Sequence, residues 1–154
     1  MNTNDKQLSY LIVGTGGVGG CIAGFLALAG KEVSCIARGE HLEAIRSKGL
    51  RLHSDLKGEH TLPVKATTAE EFTGKADVII VCVKGYSIAS ITDLIRRASH
   101  PGTVVIPILN VFGTGGVMQQ ELPGLTCLDG CIYIWAQREA PGIIAQSGKI
   151  LRVF

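Results

Sequence analysis

Charge is scarce in this chain. Only 18% of its 154 residues are Asp, Glu, Lys or Arg, the formal net charge is +2, and the basic residues are scattered. That leaves no basic footprint for nucleic acid or for a membrane surface, so neither is expected as a partner. A second absence is local: no charged residue stands between Gln7 and Gly30, a length that invites a membrane span or a secretion signal. Neither fits, because glycines break the segment and the residues ahead of it set Asp5 beside Lys6 where a signal would have a basic cluster. Metal ligands are missing too. Cys127 and Cys131 have no second pair at zinc spacing, so no metal is expected. The five cysteines (Cys21, Cys35, Cys82, Cys127, Cys131) are odd in number and mostly embedded in apolar runs. They are expected as buried, reduced thiols of a cytoplasmic protein.

What is present is apolar and rich in glycine. The hydrophobic share is 46% and there are 20 glycines, which suits a single domain with much buried strand. The organising stretch is Tyr10 to Gly20. An apolar strand over Leu11, Ile12 and Val13 runs into Gly14-Thr15-Gly16-Gly17-Val18-Gly19 and on into a helix whose Val18, Cys21, Ile22, Phe25 and Leu26 share a face. Gly30 stops that helix, and Val33 to Ala37 forms the next strand, giving a β-α-β unit of roughly thirty residues. In that context each glycine has a mechanical role. Gly14 makes the tight turn, Gly16 lets a pyrophosphate approach the backbone, and Gly19 lets helix and strand pack closely. The helix N-terminus offers unpaired N–H groups to the anion. The turn from Gly14 to Gly19 is therefore the expected cofactor cradle.

Arg38 follows the second strand, where a fold that prefers NAD places an acid. An arginine there pairs with a 2′-phosphate, which favours NADP(H); the competing reading is a solvated surface residue. A short helix is expected over Gly39 to Lys48, with Leu42 and Ile45 inward and His41 exposed. Two short strands follow around Lys57-Gly58, with His53 and His60 at the surface. Ala76 to Val83 reads as a buried strand and is followed at once by Lys84, then by a helix from Ser87, a plausible N-cap, to Ala98. The next strand, Thr103 to Ile106, leads to Asn110 and a flexible Gly113-Thr114-Gly115-Gly116. Pro107 should stop or bulge its pairing. Lys84 and Asn110 lie at carboxyl ends of strands, where ligands of open parallel sheets bind. Each also reads as an ordinary strand-end or turn residue. After Gly124 the pattern turns to strands: Leu125 to Leu128, Cys131 to Ala136, Gly142 to Gln146 and Ile150 to Phe154, with a turn at Glu139 to Gly142. The expected fold is α/β, a Rossmann-like doubly wound and mostly parallel sheet with helices on both faces.

The order of features resembles the N-terminal domain of the ketopantoate reductase (2-dehydropantoate 2-reductase) family. The likeness rests on Gly14-x-Gly16-x-x-Gly19, Arg38-Gly39-Glu40-His41 leading to Ile45 and Gly49-Leu50, Val81-Cys82-Val83-Lys84, Asn110, and Pro141-Gly142 followed by Gly148. It implies an NADP-binding domain over residues 8–154 after a flexible 1–7, with Lys84 beside the nicotinamide ribose and Asn110 near nicotinamide and substrate. It also implies a 2-oxo acid substrate such as ketopantoate, with a homodimer left open. The family usually has glycine where Val111 stands. Its helical C-terminal domain, which carries the catalytic lysine, has no counterpart in this sequence, so an inactive fragment is expected. Other dehydrogenases built from a Rossmann and a helical domain, and a stand-alone dinucleotide sensor, share the glycine turn and remain as alternatives.

Overall fold

A computed structural model describes residues 7–83, 88–109 and 111–154. In chain order the elements are β1 (Ser9–Val13), α1 (Gly17–Leu28), β2 (Glu32–Ile36), α2 (Gly39–Lys48), β3 (Leu50–Ser54), β4 (Gly58–Leu62) and β5 (Lys65–Thr67). They continue with β6 (Val78–Val81), α3 (Ile88–Ala98), β7 (Val104–Pro107), α4 (Thr114–Glu121), β8 (Thr126–Cys127), β9 (Ile132–Ala140) and β10 (Ile143–Val153). Six strands form one parallel sheet in the order β5-β2-β1-β6-β7-β8. Numbered along the chain, those strands run 3-2-1-4-5-6, the Rossmann order, and the reversal between β1 and β6 is the switch point at whose carboxyl ends ligands of such sheets bind. Helices cover both faces. Leu94 and Ile95 of α3 and Met118 and Leu122 of α4 and its end pack with Leu11, Ile79 and Val105 on one side. Cys21 and Ile22 of α1 and Leu42 and Ile45 of α2 pack with Ile12, Cys35 and Ile80 on the other.

A second sheet, β4-β3-β10-β9, lies outside the doubly wound plan. Strands β3 and β4 are the hairpin expected around Lys57-Gly58. The parallel pairing of β3 with β10 has no local signal in the sequence. Gln146 pins it: its buried side chain accepts from Ser54 Oγ at 2.6 Å and donates to the carbonyls of Ser147 and Gly148. The last two expected strands are one, β10, interrupted by a register shift between Ser147 and Leu151.

Helix α1 is sandwiched between the two sheets, so its apolar surface is not the single face that its spacing suggests. Gly17, Gly20 and Gly24 fall on one side of it. A Cβ on Gly17 would come 2.6 Å from the Ala136 carbonyl oxygen of β9, one on Gly20 2.6 Å from Ile144, and one on Gly24 3.1 Å from Leu52. Burial on two sides is why the segment from Gln7 to Gly30 carries no charge.

Three local expectations need correction. His41 is 5% exposed, not at the surface. It lies four residues before Ile45 and shares its inward face. Gly113 to Gly116 is not a loose loop: Gly113, at φ +80°, opens α4. The Gly115 N–H is capped by Asp129 Oδ1 at 2.8 Å, and buried Met118 and Leu122 hold the helix down. Pro107 is the last residue of β7, as expected of it: the ladder to β8 breaks off after Val105↔Cys127, while toward β6 Ile108 N still donates to Val81 O at 2.8 Å. Donors alternate sides along a strand, so the missing N–H of Pro107 faces β8. Of the cysteines, Cys21 and Cys35 are buried whereas Cys131 is exposed. The expected N-cap Ser87 lies outside the described residues.

His41 locks the second sheet to the first. The Gly142 N–H donates to its Nδ1 at 2.8 Å, so the ring proton sits on Nε2 and is donated to the Thr15 carbonyl at 2.6 Å. Burial lowers its pKa below the ordinary histidine value, the Thr15 carbonyl opposes that, and the nearby Arg138 charge adds to it. The unfolded chain therefore takes up a proton that the folded one refuses. His41's contribution to stability is complete above the unfolded value of about 6.5 and is lost as pH falls through it toward the lower folded value. His41→Leu is expected to cost about 2 kcal/mol, by stranding one donor and one acceptor, and to flatten that part of the pH dependence. Urea unfolding of both proteins at pH 5 and pH 8 measures it, and an unchanged slope in the variant contradicts the assignment. Gly17→Ala, a better helix former by propensity, is expected to destabilise by about 1–3 kcal/mol through overpacking against the β9 backbone. The same urea midpoints read this out.

Candidate functional site

The residues predicted to cradle a cofactor meet at the carboxyl end of β1, and they divide into walls and an opening. Gly14, at φ +95°, is a wall: a Cβ there would come 2.8 Å from Val83 and 3.0 Å from the Cys82 backbone. Gly19 is another, with 2.0 Å to the Gly14 carbonyl oxygen. Thr15 turns inward; its hydroxyl donates to Ile36 O at 2.9 Å. Val18 packs half-buried against the core, and Gly17 lies under β9. Gly16 alone is exposed, with ordinary backbone (φ −84°) and nothing within 4 Å of where a Cβ would stand. It is also the N-cap of α1, whose first turn has no side-chain cap and no acidic residue. An uncapped helix N-terminus with no acidic residue in its first turn, facing open space, is the geometry that suits an anion.

The wall behind that opening is inert. Cys82 follows β6 directly against the glycine turn, and burial pushes its thiol up to about 12, so it stays protonated and acts as packing. Cys35, pushed up to about 12 by burial and pulled down by a Thr15 hydrogen bond, lies behind it in the core.

Arg38 is the N-cap of α2 and exposed, and its side chain makes no hydrogen bond or ion pair to any described residue. It lines a cavity of about 410 Å³ together with Glu40, His41, Arg138, Glu139, Ala140 and Pro141. Half of this cavity was not anticipated, because the β9–β10 hairpin supplies it. The turn signal at Pro141-Gly142 was visible in the sequence, and Gly142 takes φ +75° as a turn of this kind requires. What could not be read was where the turn docks, which His41 decides from α2. Lys84 and Asn110 lie outside the described residues. The strand before Asn110 ends as expected at the same edge of the sheet, and Val111 and Phe112, just beyond it, are both exposed.

Comparison with known proteins agrees with this geometry. A family model described as Ketopantoate reductase PanE/ApbA matches residues 10–152. The 2-dehydropantoate 2-reductase of Mesorhizobium japonicum is 31% identical, over 89% of this chain and 48% of its own. The crystal structure of 2-dehydropantoate 2-reductase from Porphyromonas gingivalis superposes with a TM-score of 0.83 at 34% identity, covering 95% of this chain and 53% of that one. A D-mandelate dehydrogenase solved with NADH and anilino(oxo)acetate shares the fold, with a TM-score of 0.79 at 21% identity. The chain spans about half the length of the curated reductase it matches over 48% of that sequence. With a parallel sheet in Rossmann order, a glycine turn open only at Gly16, and a family match that runs almost end to end, the chain belongs to the ketopantoate reductase family, as its N-terminal domain.

Proposed function

We propose that this chain is the NADP(H)-binding half of a 2-dehydropantoate 2-reductase-like oxidoreductase, which reduces ketopantoate to pantoate in pantothenate and coenzyme A biosynthesis. One observation carries the reading: within a turn packed shut at Gly14 and Gly19, Gly16 leaves open space above an uncapped helix N-terminus. Arg38, unengaged at the start of α2, supports the choice of NADP(H) by offering a forked cation for a 2′-phosphate. Lys84 and Asn110 are proposed as positioning residues on the nicotinamide side.

The cofactor, when bound, supplies the hydride. The chain itself binds and orients. The α1 N-terminus neutralises the pyrophosphate, Arg38 fixes the adenosine end, and the inert wall at Cys82 keeps the turn closed behind it. A proton donor for the developing alkoxide is also needed, and the first turn of α1 carries no acidic residue to serve as one. We assign that group to the part of the longer relatives that this chain does not span. The compartment is proposed to be cytoplasmic, and no described helix is long and apolar enough to cross a membrane.

Calorimetric titration of the purified chain with NADPH and NADH tests the cofactor. NADPH is expected to bind at least about tenfold more tightly, and Arg38→Ala to remove most of that preference, the scale of a charge-assisted contact. Tighter binding of NADH, or an unchanged preference in the variant, overturns the assignment. Gly16→Val is expected to leave stability within about 0.5 kcal/mol yet to weaken NADPH by more than about tenfold by filling the opening. With NADPH and ketopantoate supplied, the chain alone is expected to give no turnover. A rate proportional to its concentration refutes the division of labour.

A further inference from the structure

Arg138 is a cation in a row of packing residues. Along β9, Ile132, Ile134 and Ala136 pack against the core, while Tyr133 and Trp135 between them stay exposed, the alternation a strand imposes. The ladder to β10 runs without a break from Ala136↔Gln146 to Arg138↔Ile144, so Arg138 has the same parity as Ala136. Two contacts then fix where it stands. The β9 backbone passes over α1 at Ala136 and Gln137, opposite Gly17, and the following turn is held to His41 of α2 through Gly142. Arg138 lies between these points, at the cavity it shares with Arg38.

The formal charges on that cavity balance, Arg38 and Arg138 against Glu40 and Glu139, but they are not paired with one another. Neither arginine side chain makes a hydrogen bond or ion pair with a described residue. Glu139 is held instead by His53 Nδ1 at 2.9 Å, and Glu40 stands on the first turn of α2. Two guanidinium groups left unpaired on one small cavity favour an anion between them, and each offers a fork suited to phosphate oxygens.

We propose that Arg138 is a second arginine for the 2′-phosphate of the bound dinucleotide, closing on it from β9 opposite Arg38. This rests on the NADP(H) reading above and extends it: cofactor choice is set jointly by the end of the first β-α-β unit and by a hairpin from the second sheet. The glycine-turn motif marks the first of these and is silent on the second.

Calorimetric titration with adenosine 2′,5′-bisphosphate and with 5′-AMP isolates the phosphate in question. The wild-type chain is expected to prefer the bisphosphate. Arg138→Gln is expected to weaken the bisphosphate roughly tenfold and 5′-AMP less than about twofold, with Arg138→Lys between, because a point charge replaces a fork. The double variant with Arg38→Gln is expected to lose less than the product of the single losses, because both groups hold one phosphate. If Arg138→Gln leaves both affinities unchanged while Arg38→Gln abolishes the preference, the role of Arg138 is refuted and the NADP(H) reading stands. Equal losses for both ligands in Arg138→Gln refute it as well. A wild-type chain without preference for the bisphosphate overturns both readings.

Discussion

The spacing between the two sheets is set by the absence of side chains on α1. Helix–sheet contacts elsewhere in the molecule are made by leucine, isoleucine and methionine, which hold backbones apart. On one flank of α1 the contact is made by Gly17, Gly20 and Gly24, and β9, β10 and β3 come down on the helix itself. Glycine in a helix interior costs up to about 1 kcal/mol against alanine. Burying the helix on two sides, together with Leu52 and Ile144, offsets that. Everything that shapes the site beyond the parallel sheet depends on this approach, since the hairpin that walls the arginine cavity reaches it only by lying across Gly17.

The glycine turn thus serves three neighbours at once. Gly14 and Gly19 answer to the residues just after β6 and to each other, Gly17 to β9, and Gly16 to the open space above it. Thr15 adds a fourth tie: its carbonyl accepts a hydrogen bond from His41 Nε2–H while its hydroxyl and N–H both donate to Ile36 O. A neutral, buried histidine is well suited to this position. It bridges a donor and an acceptor from different sheets, and no counter-ion is needed.

The doubly wound half of the molecule was legible because its signals are local. Apolar runs at Leu11–Val13 and Val78–Val81, the spacing of Leu42 and Ile45, and the turn glycines each depend on residues within a few positions of one another. Helix α2 could be bounded to the residue, Gly39 to Lys48, from such cues. The second sheet was not legible for the opposite reason. Ser54 and Gln146 meet across 92 positions, and no periodicity encodes which of several strands pairs with which. His41 looks exposed by its polarity, and only its spacing from Ile45 signals the inward face. Arg138 carries no local signal, since an arginine near a turn is ordinary until the register of β9 shows which way it faces.

The same long reach across the chain governs the order in which the molecule can be made. Pairing of β10 with β3 closes the longest loop in the second sheet, and contacts of that kind form late because the entropy of closure precedes their reward. Until β9 and β10 arrive, the glycine flank of α1 has no cover. A nascent chain that already contains the whole parallel β1-α1-β2 unit still presents one side of a charge-free helix to water. The hairpin that completes the cavity is also the lid on the most apolar of the described helices. Assembly of the cavity and relief from aggregation are therefore one event.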